Sequence, residues 1–545
     1  MAVVTVAARA VRRRALRVAG LCALFLSVWM APAFADSPAS GVDVSVAQSL
    51  GDRELTIVLR RVTSVPGPLR VDVVTHTGTA AGQLTLAATP TGAIAHSVSP
   101  AAGIPVAEAV VELGSTPGMY SATLAMDRAG PWELAIGDGA RVARIPLVVP
   151  KQVASPPERL VFGGFLVAGV LLPVSVLVAT RARRSGWALL PAAGMVAGVA
   201  VAVTAALLSA SFPLPPQPGS QLDPTVDNLD NPYALNQPLI SDFSRPPALL
   251  TIEGGPITAG RPGDLDLVVI DAATGAPVDD LLVHDSALMH LLVVGPSGRL
   301  SHLHPIRTGP GRYQVHMSSP EPGRHAVSAE LARRGGGVQM VRAATSFTVV
   351  PNAAGAAPPS VPVYLGSGDT AASTLVDADL ITVRTTAAVA GAPTTITAQA
   401  GDNADLQPWL GMVGHMIMAG PVPDGDSTDI AAAVQNSPIW GHAHSMGSTS
   451  MQGMSDMPGM NMPDMPGMSG TTAAAGRGTM LMPPVNGDSA PDETVAAYGP
   501  DVPFTYTFPA AGRYRLWIQV ERHYTVLTVP VVLDVAAAPA PGAHR

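Results

Sequence analysis

The chain is poor in thiols, lysine and aromatic rings. It has one cysteine, Cys22, and one lysine, Lys151, among 545 residues, and aromatic residues make up only 4%. A chain without cysteine beyond residue 22 forms no internal disulfide framework and no thiolate metal site. Charged residues make up 13%, with a net charge of -8. We therefore expect no nucleic-acid partner, since such partners need a basic surface.

The composition predicts a mainly β protein. The chain is 47% hydrophobic and contains 53 prolines and 54 glycines, which is too apolar for disorder and too rich in turn residues for long helices throughout. Short strands such as Glu54–Leu59 alternate with turns. We expect three antiparallel β-sandwiches of Ig-like or cupredoxin-like type, joined by linkers and followed by a tail. The sandwiches are predicted at 36–152, 248–351 and 375–536, the linkers at 211–247 and 352–374, and the tail at 537–545.

The first 35 residues have the pattern of a secretory signal. Arginines precede an apolar run from Val18 to Met30, and Ala33-Phe34-Ala35 follows as a cleavage site. We predict a signal peptide at 1–35. An uncleaved anchor is the alternative, although this run is shorter than the roughly 20 residues that a bilayer needs. Both interpretations export the segment that follows.

Two later segments, 160–180 and 187–210, are apolar and carry no charge. Each is long enough to cross a bilayer. The basic loop 181–186 between them belongs in the cytoplasm by the positive-inside rule. We therefore predict a cell-membrane protein with a two-helix transmembrane hairpin and most of the chain extracytoplasmic. The alternative is a buried helical hairpin in a soluble domain.

Three copies of a short pattern indicate related domains. Gly118-Met119-Tyr120 precedes Ala129-Gly130-Pro131-Trp132, and Gly311-Arg312-Tyr313 precedes Pro322-Gly323-Arg324-His325. The third copy is Ala511-Gly512-Arg513-Tyr514. Each reads as a strand end, a turn and a closing strand, so the repetition supports three sandwiches.

Histidines recur in the second and third predicted domains. Residues 276–305 are echoed by 404–420 and 439–446, and each copy has a histidine on an apolar strand followed by His-x-His. Alternate residues of a strand share one face, and a hairpin around residues 296–299 would place His290 opposite His304. We predict metal ligation, with Cu(II) or zinc suited to imidazole; decoration of an edge strand is the alternative. The six residues are His290, His302, His304, His415, His442 and His444.

A Met-rich insertion at 445–485 follows the last of these histidines. Its methionines alternate with Gly, Ser, Pro, Asp and Asn, so no regular element gathers them into a core. Thioether sulfur selects Cu(I), and methionine replaces cysteine suitably in an oxidising compartment. A low-complexity linker or an adaptable partner-binding surface is the alternative. The predicted ligands are Met446, Met451, Met454, Met457, Met460, Met462, Met465 and Met468.

Two stretches, "MHLLVVGPSGRLSHLHP" and "GRYQVHMSSPEPGRHAV", resemble YtkA-like extracytoplasmic β-sandwich domains, which are often linked with copper handling; "GMYSATLAMDRAGPWELAI" is similar to the same group. The Met-rich insertion resembles those of periplasmic copper-resistance proteins such as CopC-type carriers and Met-rich copper oxidases. The resemblance implies metal-ligand roles for the six histidines and the tract methionines. Asp36, the expected mature N-terminus, departs from the histidine with which CopC-type carriers begin.

Together these features predict a membrane-anchored extracytoplasmic copper-binding protein. We expect copper sequestration, trafficking or resistance without catalysis, with other copper-handling envelope proteins as partners. An envelope scaffold built of Ig-like domains is one alternative. A cysteine-free copper redox enzyme is another, whereas a blue-copper oxidase needs the cysteine that this chain lacks.

Overall fold

The computed structural model describes most of the chain outside its N-terminal and Met-rich parts. The described residues are 43–60, 62, 65–91, 105–149, 156–182, 184–209, 247–333, 337–352, 361–423, 429–445 and 492–539. The predicted signal peptide, nearly all of linker 211–247 and the eight tract methionines lie outside them. The chain is mainly β with two long apolar helices, and it divides into two compact units: one holds both long helices and the other holds every sheet.

The first β segment, residues 44–149, forms two four-stranded sheets. Alternation of apolar and polar residues produces its strands: in residues 82–90, Leu84, Leu86 and Ala88 are buried while their neighbours are more exposed. One sheet has the order β1-β2-β3-β6 and the other β5-β4-β7-β8. The strands are β1 (Val44–Leu50), β2 (Arg53–Leu59), β3 (Gly67–Thr75), β4 (Gly82–Pro90), β5 (Ala107–Leu113), β6 (Gly118–Met126), β7 (Gly130–Gly137) and β8 (Val142–Val149).

The second β segment, residues 248–350, pairs a seven-stranded sheet with a four-stranded one. The larger has the order β10-β19-β17-β13-β14, with β12 and β18 also on β17, and the smaller is β15-β16-β11-β9. The strands are β9 (Ala248–Glu253), β10 (Ile257–Thr258), β11 (Gly263–Asp271), β12 (Leu281–Leu282), β13 (His290–Val294), β14 (Leu300–Leu303), β15 (Ile306–Gly309), β16 (Arg312–Met317), β17 (Gly323–Arg333), β18 (Gly337–Arg342) and β19 (Phe347–Val350).

The third β segment, residues 363–535, repeats this plan with a six-stranded and a four-stranded sheet. Their orders are β20-β29-β28-β25-β26, with β24 also on β28, and β21-β22-β23-β27. The elements are β20 (Val363–Leu365), β21 (Thr370–Val376), β22 (Asp379–Thr385), β23 (Pro393–Ala400), β24 (Leu406–Gln407), β25 (Gly414–Val422), β26 (Ile439–Ser445), β27 (Asp501–Thr507), β28 (Gly512–Arg522) and β29 (Thr525–Val535), with one short helix at Ile430–Gln435.

The predicted linker 352–374 is too long. Strand β20 and the start of β21 lie inside it, so the third segment begins about a dozen residues earlier than the predicted boundary at 375. Val363 and Leu365 are buried, and β20 pairs in parallel with β29 along Val363–Leu365. A strand of three residues is too short to show a period in the sequence, and its pairing partner lies at the other end of the segment.

The two long helices, α1 (Pro156–Arg181) and α2 (Leu189–Ser209), are joined through a short 3₁₀ turn at Ser185–Ala188. They are long and apolar enough to cross a membrane. Helix α1 extends beyond the predicted segment 160–180 at both ends. Helix α2 begins two residues later and ends one residue earlier than the predicted segment 187–210. The helices touch at two glycines: a Cβ on Gly164 would lie 2.5 Å from the Gly198 carbonyl oxygen. Small residues of this kind permit close helix packing in a bilayer.

The second and third segments pack through their large sheets. Leu292 and Val294 of β13 meet Ile417 and Ala419 of β25 in one buried cluster that also contains Trp517. The indole Nε1 of Trp517 donates a hydrogen bond of 2.8 Å to the Gly298 carbonyl oxygen. Strands β13 and β25 are buried along almost their whole length, as expected for strands covered on both faces.

Trp517→Ala should destabilise the compact unit that holds every described sheet, which we call the β unit. The substitution removes a large side chain that is 1% exposed and its hydrogen bond to Gly298, a type of change that costs about 3–5 kcal/mol. Thermal unfolding followed by circular dichroism should show a fall of several degrees. Tyr364→Ala, at a ring that is 64% exposed, is the matched control; equal effects of the two substitutions would contradict this packing.

Candidate metal centre

The six predicted histidines lie on two similar hairpins. In the second segment β13 pairs with β14 in the register Leu291↔Leu303 and Leu292↔His302, which continues to His290 beside His304. In the third segment β25 pairs with β26, and His415 lies directly opposite His444. The register that we expected from the turn around residues 296–299 is the one observed.

Each hairpin gathers its histidines into a group of three. We call His290, His302 and His304 triad A, and His415, His442 and His444 triad B. Within each triad, one ring nitrogen per residue lies within 4.8 Å of the others. His302 and His304 project to the same place as His290, and His442 and His444 to the same place as His415, as the period of two predicts.

In triad A every ring has a hydrogen-bond acceptor behind it. The His290 Nε2–H donates to the His284 carbonyl oxygen at 3.1 Å. The His302 Nδ1–H donates to Gln519 Oε1 at 2.8 Å, and the His304 Nδ1–H donates to the Glu54 carboxylate. These bonds fix the tautomers, so that Nδ1 of His290 and Nε2 of the other two carry free lone pairs.

Triad B has the same construction. The His415 Nε2–H donates to the Trp409 carbonyl oxygen at 2.9 Å, and the His442 Nδ1–H donates to Glu330 Oε2 at 2.8 Å. His444 Nδ1 lies 3.5 Å from Asp285 Oδ2. The free nitrogens are again one Nδ1 and two Nε2. Metal-bound histidines have such acceptors behind them, because the acceptor orients the ring and raises its basicity.

Free lone pairs face each other in both triads. His290 Nδ1 lies 3.1 Å from His302 Nε2, and His415 Nδ1 lies 3.2 Å from His442 Nε2. Since the proton of each ring is already given to an acceptor, nothing is left to bridge these nitrogens except a cation. Two nitrogens on one tetrahedral ion at about 2.0–2.1 Å lie about 3.3 Å apart. The observed separations therefore match a chelate.

Two ring nitrogens point into the cluster with no hydrogen bond. They are His304 Nε2 and His444 Nε2, both buried and without a partner among the described residues. A buried unpaired acceptor costs free energy unless something occupies the space in front of it. Both belong to the set of nitrogens that the acceptors behind the rings leave free.

Protonation is disfavoured at four of the six rings. Burial, followed by the neighbouring imidazoles, holds the pKa of His290, His302 and His415 well below the ordinary 6.5. Burial and His442 lower the pKa of His444 to about 4. These rings are therefore neutral near pH 7, which is the form that binds metals.

The second and third segments exchange supporting residues. Glu330 lies opposite His290 on β17 but accepts its hydrogen bond from His442 of triad B. Gln519 lies opposite His415 on β28 but accepts from His302 of triad A. The Gln519 amide nitrogen donates to Thr528 Oγ1, which leaves Oε1 for the imidazole. Each triad thus has all the acceptors behind its rings only when the two segments are packed together.

An acidic group lies beside triad B. His284 Nε2 is 2.8 Å from Asp285 Oδ2 and 3.1 Å from Glu330 Oε1. Burial raises the pKa of Asp285, but the hydrogen bond and charge of His284 outweigh it and lower that pKa to about 2. Burial lowers the pKa of His284, but the hydrogen bonds and charges of the two carboxylates outweigh this effect and raise that pKa to about 10. His284 is therefore a charged partner of the carboxylates.

The Trp409 ring covers both triads on one side. Its centroid lies 5.2 Å from that of His302 and 5.1 Å from that of His415. It packs with Ala47, Ala287 and Leu410 in a small apolar cluster formed by all three segments. The first segment also reaches triad A through Ser49, whose Oγ accepts the His304 backbone N–H at 2.9 Å. Apolar cover of this kind keeps water from the imidazoles.

A second buried polar group connects the first and third segments. His76 Nδ1 lies 2.6 Å from Glu521 Oε1, and Glu493 accepts the Leu410 backbone N–H at 2.9 Å. Burial lowers the pKa of His76, but the Glu521 hydrogen bond and charge outweigh it and raise that pKa to about 9. Burial raises the pKa of Glu493 to about 7. Neither group belongs to a triad.

The remaining described histidines have the structural or exposed roles that we expected. His316 is bound to Asp264 at 2.5 Å, His325 is stacked on Phe347 and bound to Ser319, and His523 is exposed at a turn. His96 and His544 lie outside the described residues.

Sequence reasoning missed the residues behind the rings. Glu54, His284, Asp285, Glu330, Trp409 and Gln519 were not singled out. One signal could have found two of them: His284 precedes His290 by the same six residues by which Trp409 precedes His415, and both supply a carbonyl oxygen. Glu54, Glu330 and Gln519 come from distant strands, and Asp285 lies in the turn after His284 but faces His444 of another segment, so no local spacing indicates these four.

Comparisons with known proteins leave the family open. Residues 488–537 match a family described as a domain of unknown function (DUF8832). No curated protein matches the chain. The resemblance to YtkA-like domains therefore stays a prediction.

Solved structures give weak similarities. The chain is 10% identical to a Salmonella alpha-2-macroglobulin mutant, with TM-score 0.17, covering 91% of this chain and 24% of that one. It is 9% identical to a tetra-tandem repeat from the extending region of a large adhesion protein, with TM-score 0.15 and coverage of 90% and 74%. It is 9% identical to a putative membrane anchored protein from Corynebacterium diphtheriae, with TM-score 0.13 and coverage of 92% and 98%. The chain thus spans about a quarter of the macroglobulin, and similarities this low carry no functional information.

The stability of the β unit should fall as the pH rises above neutrality. Because the pKa of His76 is raised, its contribution is complete below the ordinary 6.5 and is lost as the pH rises through about 9. The thermal midpoint of the parent chain should fall more between pH 7.5 and pH 10 than that of His76→Gln. His523→Asn, at an exposed turn, should behave like the parent; an unchanged slope in His76→Gln would contradict the charged pair with Glu521.

Proposed function

We propose that this chain is a membrane-anchored extracytoplasmic metal-binding protein whose cargo is copper. The observation that carries the proposal is the pair of facing imidazole lone pairs, at 3.1 and 3.2 Å, in two buried triads. Copper has the highest affinity of the divalent first-row ions for nitrogen-rich sites. The protein holds or passes on ions and does not catalyse a reaction.

The outer chain comprises, in this proposal, three related Ig-like or cupredoxin-like sandwiches. Support comes from the paired sheets of the three β segments and from the shared strand plan of the second and third. In both of these, the first strand of the large sheet pairs in parallel with a late strand. The repeated sequence pattern that led us to expect three domains falls on β6–β7, β16–β17 and β28.

The Met-rich insertion is proposed to collect Cu(I) and deliver it to the triads. Its eight predicted ligand methionines lie outside the described residues, but the described chain on either side, up to Ser445 and from residue 492, adjoins the metal centre. The chain leaves β26 at Ser445, one residue after His444, whose side chain is 17% exposed and therefore the most accessible ligand of triad B. It returns beside Glu493, which bonds to Leu410 next to the Trp409 ring. Thioether sulfur suits Cu(I), and imidazole can receive it.

The membrane anchor is the helical pair α1 and α2. Both are long and apolar enough to span; Arg181 is the last residue of α1, and Arg184 lies in the turn that leads to α2. By the positive-inside rule this turn faces the cytoplasm, and the β segments on either side face outward. Other copper-handling envelope proteins are the proposed partners, for exchange of the bound ions.

Metal binding should depend on His302 and His442. The double variant His302→Ala and His442→Ala removes one free Nε2 from each triad. We expect its copper affinity at the triads to fall by more than about 100-fold, because even changes behind a ligand cost about 10- to 100-fold. Competition with a chelator, using the purified full chain in detergent, measures this.

His523→Asn is the control for that experiment, because it removes an exposed histidine from a turn with positive φ that asparagine tolerates. Circular dichroism establishes that both variants are folded. Equal copper affinity in the parent and the double variant would contradict the proposal and favour the envelope scaffold, in which these histidines are incidental.

Topology can be tested separately with a single cysteine. In a Cys22→Ser background, a membrane-impermeant maleimide applied to intact cells should label Ser373→Cys, on exposed β21, and should not label Gly186→Cys, in the turn between the spans. Permeabilised cells should label both. Labelling of Gly186→Cys in intact cells would reverse the proposed orientation.

A further inference from the structure

The two triads form one continuous cluster of imidazoles. The ring centroids of His290 and His442 are 5.4 Å apart, those of His302 and His442 are 5.4 Å apart, and those of His302 and His415 are 5.9 Å apart. Ions bound by the two triads are therefore close neighbours. All four rings are fully or almost fully buried: His302 is 8% exposed, His290 and His415 are 1% or less, and the His442 side chain is 0% exposed. Repulsion between the ions is consequently poorly screened by solvent.

The charges around the cluster limit the total positive charge that it can hold. Imidazole ligands are neutral, so compensation must come from the carboxylates behind them. Three carboxylates contact triad histidines: Glu54 at His304, Glu330 at His442 and Asp285 at His444. His284, charged between Asp285 and Glu330, offsets one of these three negative charges. Two monovalent ions match the remaining two negative charges, whereas two divalent ions exceed them. The repulsion between two divalent ions is also roughly four times that between two monovalent ions at equal distance.

The number of ligands in each triad also favours Cu(I) over zinc. Among the described residues, no fourth His, Asp or Glu donor lies within 4.8 Å of all three ligand atoms of either triad. Zinc in proteins is almost always four-coordinate, so a zinc ion in each triad would need an added ligand in a space from which water is largely excluded. Monovalent copper is stable with three ligands.

We infer that the six histidines form a single two-ion centre for Cu(I), in which a divalent ion fills only one position. That position is triad B, because its His444 side chain is 17% exposed and lies nearest to solvent, from which a divalent ion can take the added ligand that it needs. The inference rests on the proposed function and adds to it the valence and the number of the ions. The sequence predicted Cu(II) or zinc at the histidines; in this inference the two triads hold two Cu(I) ions or a single divalent ion.

The test counts bound ions by native mass spectrometry of the full chain in detergent. The eight tract methionines, together with Met480 and Met482 of the same insertion, are replaced by serine so that its thioethers do not contribute. The expected result is two Cu(I) ions per chain under anaerobic conditions and one Zn(II) ion per chain in a separate titration. The variant His302→Ala with His304→Ala, which removes triad A, should bind one ion of either kind.

A charge variant tests the role of the carboxylates. Glu330→Gln keeps the shape and a hydrogen-bond acceptor but removes the charge, and should weaken binding of the second Cu(I) by about 10- to 100-fold. Glu253→Gln, at a side chain that is 54% exposed in a surface ion pair, should leave both Cu(I) ions unaffected. If the double alanine variant fails to fold by circular dichroism, His302→Gln with His304→Gln replaces it.

The possible outcomes separate this inference from the proposed function. Two Zn(II) ions per chain, or a single Cu(I) ion in the folded parent, would overturn the two-ion cuprous centre and leave metal binding intact. Equal affinity for the second Cu(I) in Glu330→Gln and Glu253→Gln would overturn the charge argument. Absence of any bound metal would overturn the proposed function itself.

Discussion

Two imidazole nitrogens that face each other at about hydrogen-bond distance with no proton between them repel, and the second and third β segments of this protein each contain one such pair. The arrangement follows from the acceptors behind the rings, which take the only N–H that each neutral imidazole has. Burial then disfavours adding a proton. In the proposed function, a cation bound in each triad would relieve this constraint, and the folded arrangement of the rings would be a preformed ligand set.

The β architecture supplies this ligand set from several parts of the chain. Triad A and triad B lie on hairpins of different segments, Glu330 and Gln519 cross from one segment to the other, and Glu54 comes from the first segment. We therefore expect the proposed metal binding to be linked to packing between the segments, because residues in separate parts of the chain are brought together only in the folded state. The same packing buries Trp409 over the rings and removes them from water.

Local periodicity was sufficient to predict the mainly β fold, the two apolar helices and the hairpin that places His290 beside His304. It was sufficient because the relevant residues are close in sequence and a strand has a period of two. It was insufficient for strand β20, which is too short to show a period, and for the meeting of the two triads, which depends on packing between separate sheets. Gln519 lies 217 residues from the imidazole that it supports, so no spacing rule could have indicated it.

The central claim is that buried imidazoles, not only exposed thioethers, hold the metal. Anomalous diffraction at the copper absorption edge, from crystals of the copper-loaded protein, tests this most directly. The account predicts one peak among His290, His302 and His304 and a second among His415, His442 and His444. Peaks confined to other parts of the chain, with both triads empty at full copper loading, would contradict it.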